Sequence, residues 1–241
     1  MNVYAPAYYA RFKCTAGRSR HTCCAGWEID IDDATLAKYN SIGGNFGERL
    51  RNSIDYSGTP HFMLEEGDKC PFLNDEKLCD IIIRLGEDNI CDICRDHPRF
   101  RNFWSDRIEI GLGLACESAC RLILSDPEPL RITRIDGNDD EALNDEEVYL
   151  MSVRFELLGA IGDTGYKARL KEYLIYRHLA DALYDDRLEE RIKFTERAYE
   201  HIIKSSKSDS IDDVIESARI FSNNVEYDDE TLDAWISGKN G

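Results

Sequence analysis

Apolar positions in the second half of the chain recur every three or four residues, which is the period of an amphipathic helix. Asn144 is placed to cap the first of these helices, because three acidic residues follow it directly. Apolar stripes mark this helix and the next two: Val148, Met151, Phe155 and Leu158; Tyr173, Tyr176, Ala180 and Leu183; Leu188, Ile192, Thr195, Tyr199 and Ile202. Ser210 is expected to cap a fourth helix, and Leu232, Trp235 and Ile236 indicate a short fifth. The pattern predicts an antiparallel helical bundle.

The first half is less regular. Asp32 or Asp33 can cap a short helix, the two glycines at 43–44 end it, and Phe46, Leu50 and Ile54 suggest another. Alternating polar and apolar residues over 101–110 predict a small β hairpin.

A boundary between two structural regions is expected after residue 124. Prolines and polar residues fill 124–130, and a polar run follows at 136–141. We therefore predict two lobes, residues 1–130 and residues 131–241. The predicted fold class is mainly α: an irregular cysteine-rich metal-binding lobe with a small β hairpin, followed by a C-terminal helical bundle.

The net charge and the hydropathy exclude nucleic acid and a membrane span as expectations. Acidic residues outnumber basic ones by 47 to 30, a formal charge of −17, which repels phosphate backbones and excludes nucleic acid as an expected partner. No apolar run approaches the roughly 18–20 residues of a membrane span. Residues 1–6 carry no basic start and no apolar stretch of the secretory kind, so a cytoplasmic protein is expected.

All nine cysteines lie between Cys14 and Cys120. In a reducing cytosol, closely spaced cysteines are more often metal ligands than disulfides. Cys91 and Cys94 form a strong local chelate, because thiolates three positions apart can reach one metal from a single turn. The predicted metal ligands are Cys14, Cys23, Cys24, Cys70, Cys79, Cys91, Cys94 and Cys116. Cys120 is equally well explained as a buried apolar residue.

The thiol set suits tetrahedral zinc or a 4Fe-4S cluster. The cysteines outnumber the ligands that one zinc site needs, which favours an iron-sulfur cluster. A surface redox pair at Cys91 and Cys94 lacks the βαβ context that it would require. His97 is read as a residue before a turn and not as a ligand.

Eight short stretches resemble the flagellin lysine-N-methylase family in their residues and order: 6–12, 22–32, 70–73, 78–80, 85–87, 91–94, 97–99 and 116–119. They cover roughly the first half of the chain. The resemblance implies a protein-lysine N-methyltransferase that uses S-adenosylmethionine, holds an iron-sulfur cluster with its cysteines, and acts on flagellin or another lysine-bearing protein. The chain departs from the family pattern at Ser19, where the family commonly has a cysteine, and Cys120 is a candidate to compensate.

Methyl transfer to lysine needs a group that accepts the ammonium proton, because the ordinary lysine pKa is about 10.4. Asp30, Asp32, Glu117 and Tyr8 lie in the matched stretches and are candidates, although Asp32 is equally a helix cap. Trp27 could stack on a cation or on adenine, but a buried tryptophan is the commoner outcome. No dinucleotide-type glycine motif or radical-enzyme cysteine motif marks a donor site. Two alternatives to the methyltransferase stay open: a non-catalytic zinc- or iron-chelating binding module, and a redox or electron-transfer protein.

Overall fold

The computed structural model describes residues 1–138 and 142–239. Its α-helices are α1 (Asp33–Ser41), α2 (Gly44–Asn52), α3 (Asp80–Leu85), α4 (Asp92–Asp96), α5 (Glu117–Leu124), α6 (Asp145–Gly159), α7 (Gly165–His178), α8 (Ala182–Asp185), α9 (Leu188–Ser205), α10 (Ile211–Phe221) and α11 (Asp229–Ile236). Its strands are β1 (Asn2–Pro6), β2 (Ile54–Asp55), β3 (His61–Phe62), β4 (Arg99–Phe103), β5 (Arg107–Leu112) and β6 (Ile132–Asp136). Short 3₁₀ turns lie at Tyr9–Arg11, Ala16–Arg18 and Glu87–Asn89, and a π-helical turn lies at Ser222–Glu226. Helix is the dominant element, as the sequence predicts.

The chain divides into two compact units. We call Cys14–His97 the cysteine unit; the sheet-helix unit combines Met1–Lys13 with the described residues from Pro98 onward. These boundaries differ from those of the predicted lobes, 1–130 and 131–241. Compact packing does not establish which segments fold independently, so the division into lobes 1–130 and 131–241 stays a prediction. The polar run at 136–141 lies partly outside the described residues, which omit 139–141.

A four-stranded sheet in the order β4-β5-β1-β6 belongs to the sheet-helix unit. β4 and β5 are antiparallel, with Arg99 opposite Leu112 and Phe103 opposite Ile108. The predicted hairpin is therefore confirmed. β1 adds to it in parallel with β5 and pairs with β6 in the antiparallel sense. These pairings join segments far apart in the chain, so the local pattern gave no sign of them.

The helices of the second half begin where the sequence places their caps. The side chain of Asn144 accepts a hydrogen bond from the Glu147 amide (2.9 Å), and the Glu147 carboxylate accepts one from the Asn144 amide (3.0 Å), which makes a complete capping box. The Ser210 hydroxyl accepts from the Asp213 amide at 3.2 Å. The five expected helices are present as α6, α7, α9, α10 and α11. The second is shorter than predicted: α7 ends at His178, Ala180 lies in a turn, and Leu183 belongs to the separate short helix α8. The arrangement of the five helices as an antiparallel bundle stays a prediction.

The main apolar core of the sheet-helix unit lies where α7 packs against α9, and α10 against α5 and α9. Its fully buried residues include Leu170, Leu174, Phe194, Ile202 and Ile215. Burying such side chains contributes about 1.5–3 kcal/mol each.

A buried ion pair joins the sheet to α6. The Arg154 guanidinium donates to both carboxylate oxygens of Glu109 on β5, at 2.6 and 2.8 Å, with only 6% and 0% of the side chains exposed. The guanidinium also lies 5.1 Å from the centre of the Trp104 ring. Neither charge could stay buried without the other.

The cysteine unit has a smaller core, in which rings contact one another. Phe62 lies 5.0 Å from Phe72 and 6.1 Å from Tyr39 between ring centres. Leu50, also fully buried, comes from α2. Ile54, expected in that helix, instead begins β2, because α2 ends at Asn52.

Among the residues described, no helix has both the length and the apolar character needed to cross a membrane.

Candidate metal centre

The turn from Cys91 to Cys94 brings two thiols together. α4 begins directly after Cys91, so Cys94 lies in its first turn. A hydrogen bond between the two sulfur atoms lowers the pKa of Cys91 against the opposing effect of burial, and the same bond together with burial raises the pKa of Cys94. Cys91 is therefore the thiol of this pair that loses its proton more readily, as a metal ligand must.

Helix α1 supports this turn through two side chains. Asp32 caps α1 with one carboxylate oxygen, which accepts from the Thr35 amide at 2.9 Å, and its other oxygen accepts from the Asp92 amide, also at 2.9 Å. The Tyr39 hydroxyl lies 3.7 Å from the Cys91 sulfur. The hydroxyl donates its proton to the Asn89 carbonyl at 2.9 Å. Burial, followed by the charge of Cys91, raises the pKa of Tyr39, which keeps the hydroxyl protonated. Local sequence patterns do not predict this contact, because Tyr39 and Cys91 are 52 positions apart.

Cys70 and Cys79 flank a loop that closes on itself, since the Asp80 amide donates to the Phe72 carbonyl at 2.8 Å. Burial raises the pKa of Cys70 to about 12 and also raises the pKa of Cys79. The amide of Phe72 donates to the sulfur of Cys70, and the amide of Ile82 donates to that of Cys79. Such N–H···S bonds stabilise thiolates when a metal displaces the protons.

Cys24 is fixed to this loop by its backbone, because the Cys70 amide donates to the Cys24 carbonyl at 2.9 Å. A hydrogen bond with the Cys23 thiol lowers the pKa of Cys24 to about 7 against the effect of burial, and a hydrogen bond with Thr22 adds to the shift.

Five cysteines of the unit lie close enough for their charges to interact: Cys24, Cys70, Cys79, Cys91 and Cys94. All five border one apolar cluster. Four thiolates suffice for tetrahedral zinc or for a 4Fe-4S cluster, so the donor set fits either group. Within 1–138 and 142–239, no group of three or more His, Cys, Asp or Glu side chains has the spacing of a formed metal site. The structure therefore groups these thiols without assigning ligands.

The other predicted ligands lie outside this group. Cys23 is exposed beside Cys24, and Cys14 is exposed with its sulfur accepting from the Ala16 amide at 3.3 Å. Cys116 belongs to the sheet-helix unit, where it directly precedes α5. Ser19, where the resemblance leads one to expect a cysteine, has its hydroxyl 2.7 Å from that of Thr15.

Cys120 also belongs to the sheet-helix unit. It is completely buried in the apolar core, with its sulfur 3.7 Å from the Ile215 carbonyl oxygen. This environment is that of a buried apolar residue and supports that interpretation.

The candidates for proton transfer are dispersed. Asp32 is a helix cap, Asp30 is exposed, and Glu117 begins α5. Tyr8 is buried in the sheet-helix unit, and burial raises its pKa. Trp27 stacks on His97 with the ring centres 5.9 Å apart, and neither residue is fully buried.

Named relatives of the chain are lysine-N-methylases and a flagellar protein, whereas no family model and no solved structure matches it. Proteins named Lysine-N-methylase from Salmonella typhimurium and Salmonella choleraesuis are 27% and 26% identical over 141 residues. Each alignment covers 55% of this chain and 35% of the relative, so the chain spans about a third of these relatives. Flagellar biosynthetic protein FliU from Salmonella muenchen is 26% identical over 140 residues, which cover 55% of this chain and 82% of that protein. Over the matched 140–141 residues, the chain is similar to proteins named Lysine-N-methylase and Flagellar biosynthetic protein FliU, as the resemblance of its cysteine-rich stretches predicted.

Proposed function

We propose that this protein is a lysine N-methyltransferase that transfers methyl groups from S-adenosylmethionine to lysines of flagellin or of another protein. We further propose that its activity depends on an iron-sulfur cluster. The observation that carries the proposal is the likeness to proteins named Lysine-N-methylase in a chain whose structure also gathers five cysteines. The name of the third relative, a flagellar biosynthetic protein, supports a flagellar substrate.

The residues proposed to hold the cluster come first from the grouped thiols: Cys24, Cys70, Cys79, Cys91 and Cys94. A 4Fe-4S cluster takes four thiolates, so one of these five is not needed as a ligand. That cysteine has a packing role, or Cys23 replaces it or another of the five as a ligand. Cys14, Cys23 and Cys116 stay predicted ligands outside this group of five. A bound cluster would replace thiol contacts with metal–sulfur bonds, so its binding free energy would stabilise the folded cysteine unit.

The transfer itself requires an uncharged amine. The ε-nitrogen of the target lysine must first give up a proton, after which its lone pair forms a bond to the methyl carbon while the carbon–sulfur bond of the donor breaks. A base and a drier environment than bulk water are therefore needed.

One observation favours a second function, that of a zinc- or iron-chelating binding module. Cys70 and Cys91 are 5% and 1% exposed and belong to the core of their unit. A metal on such ligands would have a structural role, as in small metal-dependent domains.

The decisive experiment uses the full chain, purified anaerobically and loaded with its metal, with purified flagellin and methyl-labelled S-adenosylmethionine. The proposal predicts label on lysine side chains, identified by mass spectrometry of flagellin peptides. Cys91→Ser should abolish transfer, whereas Cys120→Ala, which removes a thiol outside the grouped cysteines, should retain it. Metal-loaded protein that labels neither flagellin nor another lysine-rich protein would refute the enzyme and leave the chelating module.

A further inference from the structure

A cavity of about 370 Å³ lies among α6, α7 and α9 of the sheet-helix unit. It is far larger than the roughly 10–15 Å³ that one water needs, and it falls at the lower end of the range for small-ligand pockets, about 300–1,000 Å³. Most of its wall is apolar, formed by Leu157, Ala160, Ile161, Ile175 and Ile192. Such a wall can contact the hydrocarbon part of a ligand. It does not suit a bare metal ion, which requires several oxygen ligands.

The basic group at this cavity already has its partners. The Lys171 ammonium lies 2.7 Å from a carboxylate oxygen of Asp163 and 4.5 Å from the centre of the Tyr199 ring. The hydroxyl of Thr195, another wall residue, donates to the Ile192 carbonyl at 2.8 Å. These contacts leave little positive charge or free donor capacity for an anionic ligand.

Two carboxylates at the cavity do not have such partners. Glu196 and Glu200 line it from α9, and both are exposed. Neither side-chain carboxylate forms a hydrogen bond or an ion pair with another residue in the described part of the chain. They stand one helical turn apart, where like charges repel each other. Elsewhere on the same helix, Glu189 faces a basic partner one turn away, Lys193, at 3.8 Å. Of the three α9 carboxylates without such a partner, Glu196 and Glu200 line the cavity and Glu190 does not.

Apolar walls combined with two unpaired carboxylates match a ligand that carries a positive charge on a hydrocarbon chain. We propose that this cavity binds an aliphatic ammonium side chain, the lysine of a partner polypeptide. Its methylene groups would lie against the leucine and isoleucine wall while the ammonium reaches Glu196 and Glu200, the division typical of lysine side chains. The inference rests on the proposed function only in naming a protein lysine as the source of the ammonium group.

The test measures binding of a short fluorescent peptide with one lysine to the full chain, by anisotropy at low ionic strength. The same peptide with norleucine keeps the hydrocarbon and removes the charge. We expect the lysine peptide to bind at least about tenfold more tightly, the effect of one charge-assisted contact. Affinity should fall as salt is added, because exposed carboxylates are screened.

Variants locate the site. Glu196→Gln/Glu200→Gln should weaken lysine-peptide binding by about tenfold or more while leaving norleucine-peptide binding unchanged. Glu189→Gln/Glu190→Gln is the matched control, because it removes the same charge from exposed positions of α9 that do not line the cavity. It should bind like the wild type.

Equal affinity for the two peptides, or equal loss in the two double variants, would overturn the inference. So would the finding that S-adenosylmethionine itself competes for this cavity and displaces the lysine peptide. The proposed function fails separately. Peptide binding that depends on Glu196 and Glu200, without any methyl transfer, would support the binding site and reject the enzyme. Methyl transfer that is undiminished in Glu196→Gln/Glu200→Gln would support the enzyme and reject the binding site.

Discussion

Asp32 is expected to connect the stability of α1 to the geometry of the Cys91–Cys94 turn. One of its carboxylate oxygens caps α1 and the other accepts from the Asp92 amide, each at 2.9 Å. Asp32→Ala removes both contacts. Losing an N-cap costs about 1 kcal/mol, and losing the second hydrogen bond costs about 0.5–1 kcal/mol at this half-exposed site. The expected loss of unfolding free energy is therefore about 1.5–2 kcal/mol.

Urea unfolding of the metal-free protein, followed by circular dichroism, measures this loss. Asp32→Asn separates the two contributions, because asparagine caps helices well but has only one acceptor oxygen, so about half of the loss should remain. Asp33→Ala is the matched control: Asp33 is exposed in the first turn of the same helix and should cost only a few tenths of a kcal/mol.

A second assay examines the proposed metal. Because Asp32 positions the turn that carries two candidate ligands, Asp32→Ala should weaken metal retention against a chelator by about tenfold, the size of effect expected for groups that orient ligands. If Asp32→Ala were as stable as Asp33→Ala and kept its metal equally well, the reasoning would be refuted.

Three further perturbations test other parts of the structure. Arg154→Met should lower the unfolding free energy by about 3–5 kcal/mol, because it leaves the Glu109 carboxylate buried and unpaired, whereas Glu109→Leu/Arg154→Met should recover most of that loss in the same urea titration. Cys120→Ala should cost about 1 kcal/mol for the vacated space and leave the content of bound metal unchanged; a loss of metal would show that Cys120 is a ligand. Burial raises the pKa of Asp185, but hydrogen bonds and charge from Arg191, together with hydrogen bonds from Arg187, outweigh burial and hold the pKa below its ordinary value. Its contribution to stability is therefore complete above about pH 3.9 and lost as the pH falls through the folded-state pKa, so Asp185→Asn should flatten the acid limb of the stability profile; a limb as steep as that of the wild type would contradict this assignment.

Local signals were predictable from the sequence. Asn144 and Ser210 cap the helices that they were expected to cap, and the hairpin of β4 and β5 forms over the alternating segment. Each of these features depends on residues within a few positions of one another.

Features that depend on distant segments were not predictable. β1 joins the sheet by pairing with β5 and β6, which lie far along the chain, and this pairing places Met1–Lys13 in the sheet-helix unit. The same limit applies at the site. Spacing alone identified Cys91 and Cys94 as a pair, but the contact of Tyr39 with Cys91 and the placement of Cys116 in the other unit follow from tertiary packing.

Metal binding by the thiols of the cysteine unit can be measured on the full chain, purified anaerobically and analysed for iron, acid-labile sulfide and zinc per chain. We expect iron and sulfide in cluster stoichiometry, lost in Cys91→Ser and Cys94→Ser and kept in Cys120→Ala. Folded protein that contains neither iron nor zinc, and that takes up neither on reconstitution, would contradict metal binding by these thiols.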